Sequence, residues 1–514
     1  MTVSRRDVLL QGSVIGAGLI AANTAGIEAL AQGQPPLRQS LANLQLNDPV
    51  LQAWRDGVAQ MKAKPANDPI SWASFAAIHG NASNFNLCPH GNWYFLPWHR
   101  AFLLMYERTV RQLTRHNDFA LPYWDWTNNR QMPAAFTQPT YNGAPNPLFE
   151  PQRDASPTDS LTDEIVGQGV INTILGQTDF ETFGTSRPRR NGSPQDSLDQ
   201  SWINCEFCGD SGTLESNPHN NVHNFVGGLM GSSQSALDPI FMMHHCNIDR
   251  IWALWNANNQ NSSDPLWTNM TFQQNFYNPD GSFYSPKVSD LYSPETLGYT
   301  YGLPAPAGPA AAAPPAAIMA LNDKLRTLFA TPNLRGGAGI QTFAAQNAQN
   351  ATATAERPLE IPVEVDRSLL SAVARHPAPS SGNELLNFNA AREQRASGPR
   401  ALAFIRDIAV TQHKNTFYRV FIDCDYLSQA TPVSDPHYVG TFGIFGEHAG
   451  HGGKPAAAPS MAVDLTGTIK RLYGSATEHS GRILVQIQPV TIRAKAGPAG
   501  TAAPNRVEVA FVSP

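Results

Sequence analysis

Apolar positions recur at steps of three and four through the first part of the chain and at steps of two through the last. This predicts a helical unit followed by a β-rich one. Asp68-Pro69 supplies a helix start, with Asp as cap and Pro in the first turn. Trp72, Phe75 and His79 then share a face until Gly80 ends the run. Pro97 suits another first turn, and His99, Leu103, Tyr106, Val110 and Leu113 follow at 4-3-4-3. Asn217-Pro218 starts a third helix, whose His219 and His223 point the same way. Asp238-Pro239 starts a fourth, where Phe241, His245, Ile248, Trp252 and Trp255 repeat at 4-3-4-3. From about residue 358 the pattern alternates. PLEIPVEV, RALAFIRDIAV, TFYRVFIDCDYL, SMAVDLTGTI, RILVQIQPVTIRA and RVEVAFV read as strands.

Between these units, residues 303–317 (LPAPAGPAAAAPPAA) read as a semi-rigid Pro/Ala linker. Residues 318–357 open with a short helix, IMALNDKLRTLFA, and continue as an exposed polar run, so 303–357 as a whole is expected to be a connection. The predicted fold is a mainly α domain over residues 32–302, a four-helix bundle with many loops, plus a β-rich C-terminal domain over 358–514.

Composition narrows the classes. A chain of 514 residues calls for two or three domains. Only 15% of residues are charged, the net charge is −5, and no basic stripe appears, which argues against nucleic acid as a partner. Residues 1–31 read as an export signal. Ser4-Arg5-Arg6-Asp7-Val8-Leu9-Leu10 resembles the twin-arginine pattern, and Ala29-Leu30-Ala31 supplies a small-x-small cleavage site. The apolar run between them is short and broken, so no lasting membrane insertion is expected. The expected location is periplasmic or secreted. Five cysteines make no disulfide framework. Cys205-Glu206-Phe207-Cys208 favours a local disulfide in an exported protein, with a metal-relay pair or two separate thiols as alternatives.

Histidine changes the picture most. Of 14 histidines, six form two triads about 140 residues apart: His79, His90 and His99, then His219, His223 and His245. Five of the six lie on otherwise apolar helical faces, and His90 lies on the loop between the first two helices. Packing those faces together converges the imidazoles on a dimetal site. Neutral imidazoles with no thiolate or carboxylate suit copper, with zinc as the rival. His244 faces about 100° away from His245, and only His245 lies on the apolar stripe. Phe241 and Asp249, one turn either side of His245, are expected to steady that imidazole, with Arg250 or Arg108 as a competing partner for Asp249.

PHGNWYFLPWHR and DPIFMMHHCNIDRIW resemble the two copper-binding signatures of the type-3 copper family of tyrosinases, catechol oxidases and haemocyanins, and the resemblance covers most of residues 38–302. It implies two copper ions per chain, one on each triad, with O2 as co-substrate and small phenols as substrates. Cys88-Pro89-His90 resembles the Cys-x-His that some members join by a thioether, which implies a Cys88–His90 bond. Tyr299-Thr300-Tyr301 and Arg38 resemble the motif that closes the family's catalytic domain. The tail, with FYRVFIDC and YVGTFGIFGEH, resembles the domain that covers the copper site of latent plant-type polyphenol oxidases.

The implied activity is that of a tyrosinase: ortho-hydroxylation of monophenols and oxidation of o-diphenols to o-quinones, in melanin-type pigment or phenol metabolism. The alternatives are a catechol oxidase, an o-aminophenol oxidase or an O2 carrier. A dizinc hydrolase is disfavoured because the triads include no bridging carboxylate. Glu215 and Asn220 match the family's pair that holds a proton-accepting water. Ser232 and Ser233, in GSSQSA, are expected at the mouth. Phe442 or Phe445 is weighed as a plug against both rings sitting in the tail's own core, and His448 and His451 as a copper-transit pair against a solvated loop. Homo-oligomerisation is left open.

Overall fold

The computed structural model describes residues 35–303, 316–331, 339–376, 398–411, 413–446, 457–475, 480–493 and 497–513. The export segment, His448 and His451 lie outside the described residues.

Helix α1 (Pro49–Ala63) begins where Asp48 accepts the Val50 N–H, and it buries Leu51, Trp54, Val58 and Met61 at helical spacing. It packs on a later helix so closely that a Cβ on Gly57 would lie 2.9 Å from Val110. Helix α2 (Trp72–His79) starts later than Asp68-Pro69 suggests. Ser71 is its cap, accepting the Ser74 N–H, while Asp68 closes the preceding turn through Ile70 and pairs with Lys64. Helix α3 (Phe95–Thr114) has Pro97 in its first turn and buries 15 of its 20 residues.

The third predicted helix is also shifted. Asn217 is extended (φ −160°, ψ 122°), the Asn217–Pro218 peptide is cis, and α4 spans only Asn220–Val226. The residue before a proline is sterically driven out of the α region, so His219 sits on the wide turn before the helix. His219 and His223 still meet, with ring centroids 4.6 Å apart. Helix α5 spans Ile240–Asn256.

The C-terminal unit is two packed sheets. Its strands are joined by one short strand from the helical unit, β1 (Asp210–Ser211). The others are β2 (Ile340–Gln346), β3 (Leu359–Glu364), β4 (Arg400–Thr411), β5 (Thr416–Ile422), β6 (Tyr438–Gly443), β7 (Ser460–Asp464), β8 (Arg482–Thr491) and β9 (Thr501–Val512). One sheet has the order β1-β7-β4-β9-β2, with β1 parallel to β7 and the rest antiparallel. The other has the antiparallel order β6-β5-β8-β3.

The span read as a connection is therefore partly structural. Helix α6 (Ala316–Ala330) buries Ile318, Leu321, Leu325 and Phe329 against Leu402, Phe404, Ala510 and Val512. β2 pairs with β9 as an edge strand. Its largely exposed faces explain why its Ala/Gln composition looked like an open polar run.

The two units share a core: Phe417, Val490 and Ile492 of the β unit pack into the hydrophobic cluster around α1–α5. Charged contacts reinforce the join. Arg419 clasps Glu164 through Nε and Nη2 (2.6 and 2.9 Å), Arg406 pairs with Asp210, and Arg400 donates to Gln177. Among the described residues no helix is long and apolar enough to cross a membrane.

Candidate metal centre

Helices α2, α3, α4 and α5, the 80–94 loop and the turn before α4 bring the six predicted imidazoles together, all essentially buried. His79, His90 and His99 form one group, with ring centroids 5.4–5.9 Å apart. His219, His223 and His245 form the other, at 4.6–5.3 Å. The groups face each other. His99 and His245 stack 4.1 Å apart at 6°, and His90 and His219 lie 5.9 Å apart.

Backbone and amide oxygens fix the tautomers. Nδ1 of His79, His99 and His223 faces the carbonyls of Ser233 (3.1 Å), Phe95 (2.8 Å) and Met230 (2.8 Å), and Nδ1 of His219 faces Asn220 Oδ1 (2.8 Å). A carbonyl oxygen only accepts, so each Nδ1 carries the hydrogen and each Nε2 keeps its lone pair. The Nε2 atoms of His79 and His219 are buried without a hydrogen-bond partner. Burial lowers all six pKa values, that of His79 to about 4 and that of His219 to about 3. The rings are therefore neutral, the form that binds a metal. In each group the ligand atoms lie within 4.8 Å of one another. Nε2 of His223 and of His245 are 3.1 Å apart, close to the ~3.3 Å edge of a tetrahedron of imidazoles around one ion.

His244 enters the second group as well, contrary to the helix-phase argument: the π-face of its ring stacks on His219 at 5.4 Å. Its hydrogen bonding nevertheless sets it apart. The indole N–H of Trp126 donates to His244 Nδ1 (3.2 Å), and an indole N–H only donates. Neutral His244 thus keeps its hydrogen on Nε2.

Cys88 sits inside the first group, its sulfur 3.7 Å from His90 Nε2 and 3.3 Å from His99 Nε2. Burial, then Glu206 and Glu215, push its thiol pKa up.

The remaining predicted residues divide. Phe241 packs 4.2 Å from the His245 ring and 4.9 Å from that of His79. Asp249 meets neither an imidazole nor Arg250 or Arg108. It accepts from Arg100 (2.5 Å), Arg38 (3.2 Å), Tyr299 (2.8 Å) and Tyr301 (2.6 Å). Its carboxylate thus locks α5 to the segments carrying Arg38 and the Tyr299/Tyr301 pair.

Glu215 is fully buried. It accepts the Gly91 N–H at 2.7 Å and the Thr185 hydroxyl. Burial raises its pKa to about 7, against those two donors and Ser211.

Ser233 is no gate. Its carbonyl holds His79 and its hydroxyl donates to Asn81 O, because the 231–236 loop folds back onto the end of α2. Ser232 donates to Leu229 O within that same loop.

Of the two plug candidates, Phe442 is in the β-unit core, stacked on Tyr418 at 5.1 Å. Phe445, just past β6, enters the metal centre. Its ring stacks on His223 at 4.0 Å and lies 5.4 and 5.8 Å from His90 and His219. Phe85 closes the other side, at 4.1 Å from His90 and 5.5 Å from Phe445. Sequence reasoning missed Phe85 because the 80–94 loop has no periodicity to place it. Cys205 and Cys208 are joined in a disulfide.

Residues 69–258 match the family model for the common central domain of tyrosinase. Over this central region the chain is similar to the type-3 copper family of tyrosinases and polyphenol oxidases. Among its relatives, a tyrosinase (HcTyr1) of Hahella sp. (strain CCB-MM4) is 29% identical over 311 residues, covering 53% of this chain and 64% of the relative. The latent chloroplastic polyphenol oxidase of Prunus armeniaca is 30% identical over 296 residues, covering 52% and 48%. The chain thus spans about half to under two thirds of the length of these relatives. In fold, latent aurone synthase superposes with a TM-score of 0.61 at 20% identity, covering 93% of this chain and 90% of that one. Latent apple tyrosinase gives 0.61 at 19% identity, covering 93% and 98%. The two histidine groups fit the dicopper centre of this family.

Proposed function

We propose that the protein is a copper-dependent phenol oxidase of the tyrosinase type, hydroxylating monophenols and oxidising o-diphenols to o-quinones, and that its C-terminal unit keeps it latent. The observation that carries this reading is the Phe445 ring, stacked on His223 between the two histidine groups where a phenol ring would lie. His79, His90 and His99 would hold one copper, and His219, His223 and His245 the other. When bound, the copper pair supplies O2 activation and two-electron oxidation.

The chain's own residues orient the ring and move the proton. His223, fixed by Met230 O, offers its face to the substrate ring as it does to Phe445. Hydroxylation requires the phenol to lose its proton. Glu215, with a pKa of about 7, is poised to exchange one at neutral pH through a water shared with Asn220. Asn220 Nδ2, which would hold that water, donates to Gly443 O while the C-terminal unit is seated. Removing the tail would free both the ring slot and this amide. Cys88, 3.7 Å from His90 Nε2, is the proposed partner of the thioether: its S–H and a His90 ring C–H would be replaced by an S–C bond, with O2 as the two-electron oxidant, to be read by intact mass as loss of two hydrogens. Export by the twin-arginine route and a role in pigment formation belong to the same proposal.

A catechol oxidase is the second reading, favoured by the occupation of both Glu215 oxygens by protein donors. The ratio of L-tyrosine to L-DOPA turnover, on copper-loaded protein with and without the tail, separates the two. Glu215→Gln and Asn220→Gly should lower tyrosine turnover more than DOPA turnover. Equal loss of both would remove these residues from the hydroxylation step.

A further inference from the structure

We propose that the Cys205–Cys208 disulfide is a positioning element of the metal centre, holding the loop ligand His90 and the Glu215 carboxyl in one frame. This rests on the dicopper reading above.

His90 is the imidazole whose placement the helices do not explain. Four of the other five are oriented by an oxygen at Nδ1, and His245 is carried within α5. His90 has no oxygen at either ring nitrogen: Nδ1 has no partner, and Nε2 meets only Cys88 Sγ, at 3.7 Å. Its position is set by its backbone, and that backbone is tied to the stapled loop.

The Phe207 N–H donates to His90 O (2.7 Å), and the Gly209 N–H donates to Gly91 O (2.6 Å). One donor thus lies inside the disulfide-closed tetrapeptide and the other immediately after it. The Asn92 amide adds a bond to Cys205 O at 3.1 Å. The approach leaves no room for slack: a Cβ on Gly91 would fall 2.5 Å from Phe207 Cα, and one on Gly209 would fall 2.4 Å from Ser186 O. Phe207 has φ +53°, a left-handed conformation that a bulky residue rarely adopts unaided, and the closed ring holds it there.

From the same dipeptide, the Gly91 N–H donates to Glu215 Oε1 (2.7 Å). The ligand and the carboxyl therefore share a single support. The disulfide is half-exposed, whereas Cys88, Cys246 and Cys424 are buried, so a mild reductant would reach this pair selectively.

The test is copper content of the full chain by elemental analysis after dialysis against a weak chelator. Wild type should retain about two copper ions. A Cys205→Ser/Cys208→Ser variant should retain about one, because loss of a supporting contact of this kind weakens metal affinity ~10–100-fold. Circular dichroism should match wild type, since a merely structural defect would lose both ions together. If the variant does not fold, native protein reduced with a phosphine, alkylated at Cys205 and Cys208 and then dialysed takes its place, with the same expected drop. Two ions retained in either form, or both lost, overturns the staple. Fewer than two in wild type overturns the dicopper reading instead.

Discussion

A carboxylate buried among two guanidiniums is held by them as much as it holds them. Burial pushes the Asp249 carboxyl up, Arg100 and Arg38 more than offset this, and it ends below its ordinary value. Asp249→Ala would leave both arginines buried without that partner. Breaking a buried ion pair in this way costs ~3–5 kcal/mol, to be read as a lowered denaturation midpoint in urea. The same residue scale settles the adjacent histidines. His245→Ala should lose one copper per chain. His244→Ala should retain both, because Trp126 already occupies the only lone pair of His244. Retention of both ions by His245→Ala would reverse the assignment. The clustered imidazoles were legible in the sequence because a histidine on an apolar stripe is conspicuous. Their supports were not. Ser233 reaches His79 across 154 positions and Arg38 reaches Asp249 across 211, and no periodicity encodes such pairings.

At the scale of elements, the proposed plug, Phe445, follows a strand end held by a helix. β6 runs to Gly443. Beyond it, α4 grips the chain through Asn220 Nδ2 to Gly443 O (2.9 Å) and Asn224 Nδ2 to Ile444 O (2.8 Å), and Phe445 follows. Phe445→Ala should raise the DOPA turnover of the full-length protein several-fold, toward that of protein freed of its tail. Unchanged turnover would mean that something other than this ring blocks entry. Strand alternation made the β unit visible in the sequence, and helical phase placed α3 and α5. The cap of α2 and the late start of α4 were misread, because Asx-Pro pairs also make turns, as Asp68 and Asn217 do here. The motif GTFGIFGEH suggested a plug, but which phenylalanine points inward depends on where β6 stops, and only the register with β5 defines that.

Over the whole molecule, charges across the join give the closed form a pH window. Burial would raise the Asp210 carboxyl, but Arg189 and Arg406 hold it at about 2. A depressed pKa contributes stability above the unfolded value of 3.8 and loses it as pH falls through 2. Glu181, at the same interface, runs the other way: burial, then Asp179, raise it from 4.5 to about 7, so its folded form gains as pH falls from 7 toward 4.5. The tail should stay seated through mild acid and loosen only below about pH 4, monitored as the rate of tail cleavage by an acid-active protease. Loosening between pH 7 and 5 would mean that other groups govern the contact.

The strand that the helical unit lends to the far sheet has a consequence for activation. Because β1 is hydrogen-bonded to β7 and Phe417, Val490 and Ile492 sit in the neighbouring core, a cut in the connecting segment severs the chain without breaking the contact. Before the cut, the proposed cover is held beside the helical unit at an effective concentration of order millimolar. Afterwards it would act as a separate inhibitor governed by mass action. Nicked protein should therefore gain activity on dilution and lose it again when the released fragment is added back.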